Sequence, residues 1–330
     1  DGILYEILKI PKEVHPARVA RIQILSGLKI DEHHQPQDGR FRYPISNQFI
    51  DIRVSVMPTF YGEKLEMRLL ESTQKPLSFE ELGMTEANSK ILIENLKKAY
   101  GMIISCGPTG SGKTTTLYSM MNILNKPTVN ITTVEDPIEY NIKYVNQTQI
   151  NPTAGITFAN GLRALLRQDP NIIMVGEIRD SETAGISVQA ALTGHLIITS
   201  LHTNDAPTAI PRLVDLQVPP FLLAATVNLI VAQRLIRKVC RQCIYSYQTP
   251  PEVVDIVKRQ LKDLNINDDS SIPKIIYKGR GCPSCNFFGY RGRLGIFEIL
   301  EIDDKIKKLI IEPQFSLENI KKEIMAGGFK

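Results

Sequence analysis

An α/β fold, with helices packed around a largely parallel sheet, is what this sequence predicts, and three observations predict it. Between residues 79 and 236, short apolar runs at 102–105, 129–134, 172–175 and 196–200 alternate with helical segments. Strands joined by helical crossovers have that order, and their ligands bind at the strand C-terminal ends. The apolar run at 102–104 leads into Gly107-Pro108-Thr109-Gly110-Ser111-Gly112-Lys113-Thr114, a complete G-x-x-x-x-G-K-[ST] phosphate-loop pattern, and residues 115–124 continue as a helix. Farther along, Cys240-Arg241-Gln242-Cys243 and Cys282-Pro283-Ser284-Cys285 make two C-x-x-C pairs with residues 244–281 between them. The composition agrees: 330 residues, 43% hydrophobic and 22% charged, exclude a disordered chain and leave room for two or three compact domains. A net charge of +4 is too small to imply a nucleic-acid or membrane surface by itself, and no stretch is long and apolar enough to cross a bilayer.

Taken in order, residues 1–72 read as a small α+β domain with a helix at 17–28 and strand-like runs at 49–57 and 65–70. Arg53 and Arg68 lie in those two runs, whose alternation buries one face and presents the arginines on the other. Two readings stand for them: exposed ion pairs with Asp51 or Glu66, or arginine fingers that meet a γ-phosphate when this domain closes. Residues 73–78, with Pro76, read as a linker. The sequence opens at Asp1-Gly2 without a start Met or a secretory signal and ends at Gly328-Phe329-Lys330, so a chain cut from a longer one is expected.

Residues 79–236 hold the nucleotide chemistry. Glycines let the loop backbone wrap a phosphate and aim its N–H groups at the anion. Lys113 reaches the β- and γ-phosphates and the Thr114 hydroxyl ligates Mg²⁺, so the nucleotide contacts are assigned to Gly107, Pro108, Thr109, Gly110, Ser111, Gly112, Lys113, Thr114 and Thr115. The strand ending at Val134 is followed by Glu135-Asp136-Pro137-Ile138-Glu139, three carboxylates that can hold Mg²⁺ and polarise a water. The run Ile172-Ile173-Met174-Val175 is followed by Gly176-Glu177, a strand ending in an acid; Gly176 stands where many such proteins carry Asp, which leaves Thr114 and waters to the metal. Solvated loop charges are the alternative, but three carboxylates beside phosphates without a metal would repel the ligand. His195 and His202 bracket the strand at 196–200 and serve either as structural groups or as sensors of the γ-phosphate. Arg163 and Arg167 lie four apart on one helical face and could act across a subunit boundary.

Residues 237–330 carry the cysteine pairs and helices at 305–311 and 317–326. Four thiolates from two tight turns make a tetrahedral zinc set of structural type, Cys240, Cys243, Cys282 and Cys285. Two disulfides or a redox dithiol are the alternatives; an intracellular nucleotide binder disfavours the first and the second needs only one pair. Cys106, at the end of the strand before the phosphate loop, reads as a small core residue.

The phosphate loop, 131–140 (ITTVEDPIEY), 169–180 (DPNIIMVGEIRD), 193–202 (TGHLIITSLH) and the two C-x-x-C pairs together resemble the secretion ATPase superfamily, the hexameric motors of type II secretion and type IV pili. Gln37-Asp38-Gly39-Arg40 and Asp51-Ile52-Arg53-Val54-Ser55 extend the resemblance over almost the whole chain. It implies a RecA-like P-loop NTPase domain, a preceding PAS-like second N-terminal domain, a C-terminal zinc-binding subdomain, and ATP, Mg²⁺ and Zn²⁺ as ligands. Glu135 then belongs to the Asp box, Glu177 is the Walker B acid, and His195 and His202 form the His box. The tetracysteine module points to the secretion or pilus-assembly branch rather than the retraction branch. Asn171 departs from the usual D-P-D triplet, ahead of the catalytic acid. The resemblance further implies ATP hydrolysis in a homohexameric ring, cytoplasmic and peripheral to the inner membrane, that hinges near Lys75-Pro76, pushes an inner-membrane platform protein to assemble pseudopilins or pilins, and docks on a membrane-anchored partner. A RecA-like DNA-transfer or conjugation ATPase would lack the cysteine module and show a stronger basic footprint, so no nucleic-acid partner is expected. A nucleotide sensor that does not hydrolyse would lack Glu135 or Glu177.

Overall fold

The computed structural model describes residues 6–45, 48–71, 76–263, 272–312 and 316–326. Its first layer is an antiparallel meander of β1 (Gln37–Ile45), β2 (Gln48–Thr59) and β3 (Gly62–Glu71), covered by helix α1 (His15–Leu25). α1 buries Val19 and Gln23, while Val54 and Val56 of β2 are fully covered. The helix stops at Leu25, short of the expected 28, because Gly27 adopts a left-handed φ of 69° that ends a helix easily. β1 was not expected from the sequence, since its residues are mostly polar and exposed and show no apolar period.

Register across this meander aligns three arginines: Arg40 of β1 lies opposite Arg53 of β2, which lies opposite Arg68 of β3. Residues 73–75 of the expected linker fall outside the described residues. Ser78 then caps a short helix, α2 (Phe79–Leu82), in a reciprocal box with Glu81, and Thr85 caps α3 (Glu86–Leu96).

A seven-stranded sheet follows. It is built from β4 (Gly101–Cys106), β5 (Ile131–Glu135), β6 (Val145–Gln149), β7 (Ile172–Val175), β8 (Leu196–Leu201), β9 (Val227–Val239) and β12 (Tyr290–Glu301), in the order β12-β9-β4-β8-β7-β5-β6. Every pairing but one is parallel; β12 runs antiparallel to β9. Helices α4 (Lys113–Leu124), α5 (Phe158–Leu165), α6 (Ser181–Leu192), α7 (Ala209–Asp215) and α8 (Pro220–Thr226) connect or flank the strands. Side chains alternate between two apolar layers: Met102, Ile104, Ile173, Val175 and Ile197 pack into one, and Ile103, Ile172, Met174 and Ile198 into the other. With both faces covered, the inner strands are buried throughout and mostly apolar, which is why they read as short apolar runs. The expected strand at 129–134 begins two residues later, at Ile131.

Between the cysteine pairs, β10 (Ile244–Gln248) and β11 (Ile275–Gly279) form an antiparallel ribbon that carries α9 (Pro251–Asp263). α10 (Asp304–Ile311) and α11 (Leu317–Ala326) finish the described chain, Ile306, Ile310 and Ile320 joining the first apolar layer. Neither β9 nor β12 was expected, yet the pair forms the far edge of the central sheet. Their pattern changes from buried to exposed along their length, so no single period marks them.

Candidate nucleotide site and cysteine cluster

Because the inner strands are parallel, their C-terminal ends share one edge, and the loops leaving them converge. β4 leads into the phosphate loop and α4 begins at Lys113, with Gly112 as its left-handed N-cap at φ 91°. Gly107 has φ 147°, and a Cβ there would lie 2.5 Å from the Gln233 carbonyl oxygen, so only glycine fits. The Lys113 ammonium donates to the carbonyls of Gly107 at 2.7 Å and Pro108 at 3.1 Å. Burial draws its pKa below the ordinary lysine value, with Glu177 pulling the other way. Among the described residues Ser111 Oγ is buried without a hydrogen-bond partner, and Thr114 is exposed in the cleft. A glycine cradle, an orphan hydroxyl, a helix N-terminus and a free threonine fit a phosphate group and its cation.

The cleft is about 1060 Å³ and is lined by the loop and Thr115, by Glu135, Glu177 and His202, and by Arg68 and Arg293 from distant parts of the chain. Glu177 is held at both oxygens: Oε2 lies 2.7 Å from His202 Nε2, and Oε1 meets the Arg179 guanidinium. Glu135, only 2% exposed, accepts from Thr133 Oγ1 at 2.5 Å, from Gln147 Nε2 at 3.1 Å and from the Tyr118 hydroxyl. Burial pushes its pKa up despite those hydrogen bonds, and burial beside Glu135 raises the Tyr118 phenol as well. Asp136 and Glu139 also face the cleft.

The structure does not bring the two histidines together. His202 follows the C-terminal end of β8, whereas His195 precedes its N-terminal end, about 20 Å away along six residues of strand. There the His195 Nδ1–H donates to the Ala190 carbonyl at 2.9 Å. The arginines also separate. Arg68 lines the nucleotide cleft, while Arg53 lines an adjoining cleft of about 1020 Å³ with Arg40, facing Asp136 and Glu139. Of the ion pairs considered for them, Arg68 and Glu66 stand 4.0 Å apart with both side chains exposed. Asp51 is engaged by Arg42 at 2.7 Å instead, and that hydrogen bond holds Asp51 below the ordinary carboxylate range. Arg163 pairs with Glu182 at 2.5 Å, and Arg167 donates to the Arg163 carbonyl.

At the end of β9, the four cysteine sulfurs gather within 4.8 Å of one another. Sγ separations are 3.8 Å for Cys240–Cys282, 3.8 Å for Cys243–Cys285 and 3.7 Å for Cys282–Cys285. A disulfide needs about 2.05 Å, so neither pair nor cross-pair is bonded. Zn–S bonds of about 2.3 Å in a tetrahedron put sulfurs about 3.8 Å apart, which this cluster matches. The backbone N–H groups of Cys282 and Gly289 donate to Cys285 Sγ at 3.2 and 3.3 Å, the support a thiolate ligand takes. Gly279 and Gly289 close the base of the loop that carries Cys282 and Cys285, since a Cβ on Gly279 would lie 2.1 Å from the Gly289 oxygen.

Residues 1–327 match the family described as Type II/IV secretion system protein. The chain belongs to that family. It is 46% identical over 310 residues to the type II secretion system ATPase E of Vibrio cholerae, covering 94% of this chain and 60% of the relative. It is 44% identical over 329 residues to the type IV pilus assembly ATPase PilB of Myxococcus xanthus, covering 99% of this chain and 57% of the relative. The chain thus spans about three-fifths of the length of the curated relatives it matches. Among solved structures, the pilus retraction motor PilT with bound ADP superposes with a TM-score of 0.61 at 28% identity, over 89% of this chain and 71% of that one.

Sequence reasoning missed several residues that this member of the secretion family brings to the cleft. Tyr118 and Gln147 brace Glu135, Arg179 braces Glu177, Arg293 lines the opposite wall, and Gln233 lies beneath the loop. Gln233 had a local signal, a lone amide interrupting the apolar run 229–232. Arg293 had none, because only the pairing of β12 with β9 carries it there.

Proposed function

We propose that this chain is the motor part of an ATPase that hydrolyses ATP to ADP and phosphate and powers pseudopilin or pilin assembly as a homohexameric ring. The observation that carries the proposal is the convergence of the phosphate loop, the Glu177–His202 pair and Arg68 on one cleft, in a chain so similar to a type II secretion ATPase E and to a PilB. When ATP enters, Lys113 exchanges the Gly107 and Pro108 carbonyls for the β- and γ-phosphates. The Thr114 hydroxyl would hold Mg²⁺, which would supply charge neutralisation at the phosphates. Glu177, fixed by His202 and Arg179, orients the attacking water, and Glu135 stands nearby with a pKa raised in the direction that suits a proton acceptor at neutral pH. Closure of the first sheet then brings Arg68, with Arg53 from the adjoining cleft, onto the charge that develops on the γ-phosphate.

Cys240, Cys243, Cys282 and Cys285 hold one structural Zn²⁺, which ties the ribbon of β10 and β11 to the end of β9. An inner-membrane platform protein and a membrane-anchored docking protein are the partners of this reading, with the motor on the cytoplasmic side. The test separates binding from turnover: Lys113→Ala abolishes tight ATP binding, whereas Glu177→Gln binds ATP and loses hydrolysis. Parent-rate hydrolysis by purified Glu177→Gln overturns the assignment of the acid.

A further inference from the structure

We infer that Gln233 is a positioning residue for the phosphate loop: from β9 it orients the Ser111–Gly112 peptide so that the loop presents an N–H to phosphate. The inference deepens the ATP-binding reading above and rests on it. Gln233 is 3% exposed, in a strand paired in parallel with β4. Its side-chain amide points under the loop rather than into an apolar layer. There Nε2 donates to the Ser111 carbonyl at 2.8 Å, while Oε1 accepts from the hydroxyl of Ser105, in β4, at 3.3 Å.

Three physical consequences follow from this one side chain. A trans peptide is planar, with its C=O and N–H pointing opposite ways, so a Ser111 carbonyl drawn down to Gln233 leaves the Gly112 N–H directed away from β9, toward the cleft. The Ser111 carbonyl, which can only accept, determines which way the amide faces, and this leaves Oε1 to accept from the Ser105 hydroxyl. Burial raises the stakes of both bonds, since a carbonyl left unpaired away from water costs more than a bond between exposed groups gains. The glycines agree with this arrangement. A Cβ on Gly112 would come 3.1 Å from Gln233 Nε2, and one on Gly107 would come 2.5 Å from the Gln233 carbonyl oxygen, so the loop is glycine on the side that rests on this residue.

The experiment compares Gln233→Met and Gln233→Glu with the parent, reading amide hydrogen exchange of residues 107–113 without nucleotide and MgADP and MgATP affinity by titration. Glutamate fills the same volume and still accepts from Ser105; protonated, as burial favours, its acid O–H can donate to the Ser111 carbonyl, and ionised it cannot, so a positioning role makes its affinity fall as pH rises. The expected result is faster exchange at 107–113 and affinity lowered by about tenfold or more, at every pH in Gln233→Met and at alkaline pH in Gln233→Glu, with the central strands β4, β7 and β8 protected as in the parent. Ser105→Ala, which keeps the Ser111 contact, loses no more than a few-fold. Parent-like loop exchange in Gln233→Met, or affinity in Gln233→Glu that stays parent-like as pH is raised, overturns the inference. Faster loop exchange in both variants of a parent that binds no adenine nucleotide upholds the positioning role and sinks the ATP reading instead.

Discussion

Glu177 and Glu135 are both acids at strand ends, yet their surroundings differ. Glu177 is held at the cleft by one imidazole and one guanidinium, while Glu135 is enclosed by three donors. Removing a group that orients the acid costs turnover rather than binding, so His202→Ala is expected to keep ATP affinity and lower the hydrolysis rate by about ten- to a hundredfold. His195→Ala is the control at the far end of β8, and steady-state rates within about twofold of the parent are expected there. The buried Glu135 makes stability depend on pH with a definite sign. Its folded pKa lies above the ordinary 4.5, so its contribution to stability is whole below that value and is lost as pH rises through the raised one. Melting temperatures of Glu135→Gln and the parent should therefore diverge in the variant's favour as pH rises above the ordinary carboxylate range, as the parent alone has to ionise a buried carboxyl; a difference that shrinks with pH would contradict the buried-acid account.

Among the elements, those that repeat a short-range rule were readable and those defined by a distant partner were not. β4, β5, β7 and β8 were legible because strands covered on both faces are mostly apolar, and α4 because the phosphate loop announces its start. β6 was not legible, since as an edge strand it carries Asn146, Gln147 and Thr148. β9 and β12 were hidden for a different reason: each is half core and half support for the cysteine cluster. That cluster sets up an element-level prediction. Metal analysis of protein purified without chelator should find one zinc per chain, and serine at any of the four cysteines should loosen the ribbon of β10 and β11. Gly279→Ala should do the same without touching a ligand, because its Cβ would be driven against the Gly289 backbone, costing about 1–3 kcal/mol. Proteolysis within α9 reports that loosening, and a zinc-free parent would remove the idea.

At the scale of the whole molecule, the ladder of Arg40, Arg53 and Arg68 asks for an explanation, since like charges directly opposite on a sheet repel. Among the described residues Arg53 makes no ion pair and Arg68 makes only an exposed one with Glu66 at 4.0 Å, and Arg68 lines the candidate nucleotide cleft. If closure uses that charge at the γ-phosphate, Arg53→Ala and Arg68→Ala each leave the fold and ATP affinity nearly intact and cut hydrolysis by about a hundredfold or more. The measurement is steady-state ATPase under conditions where the parent forms a ring, and an unchanged rate in the double variant would sink the arginine-finger assignment. The chemistry of the loop, the acids at strand ends and the cysteine pairs was determined by the sequence alone, because each lies within a few residues of chain and local geometry suffices to build it. Which histidine reaches the cleft, which arginine faces which wall and which amide supports the loop were decided only by the tertiary structure. Strand direction, cross-strand register and sheet order set those distances, and they join residues more than a hundred positions apart through pairings that no local window contains.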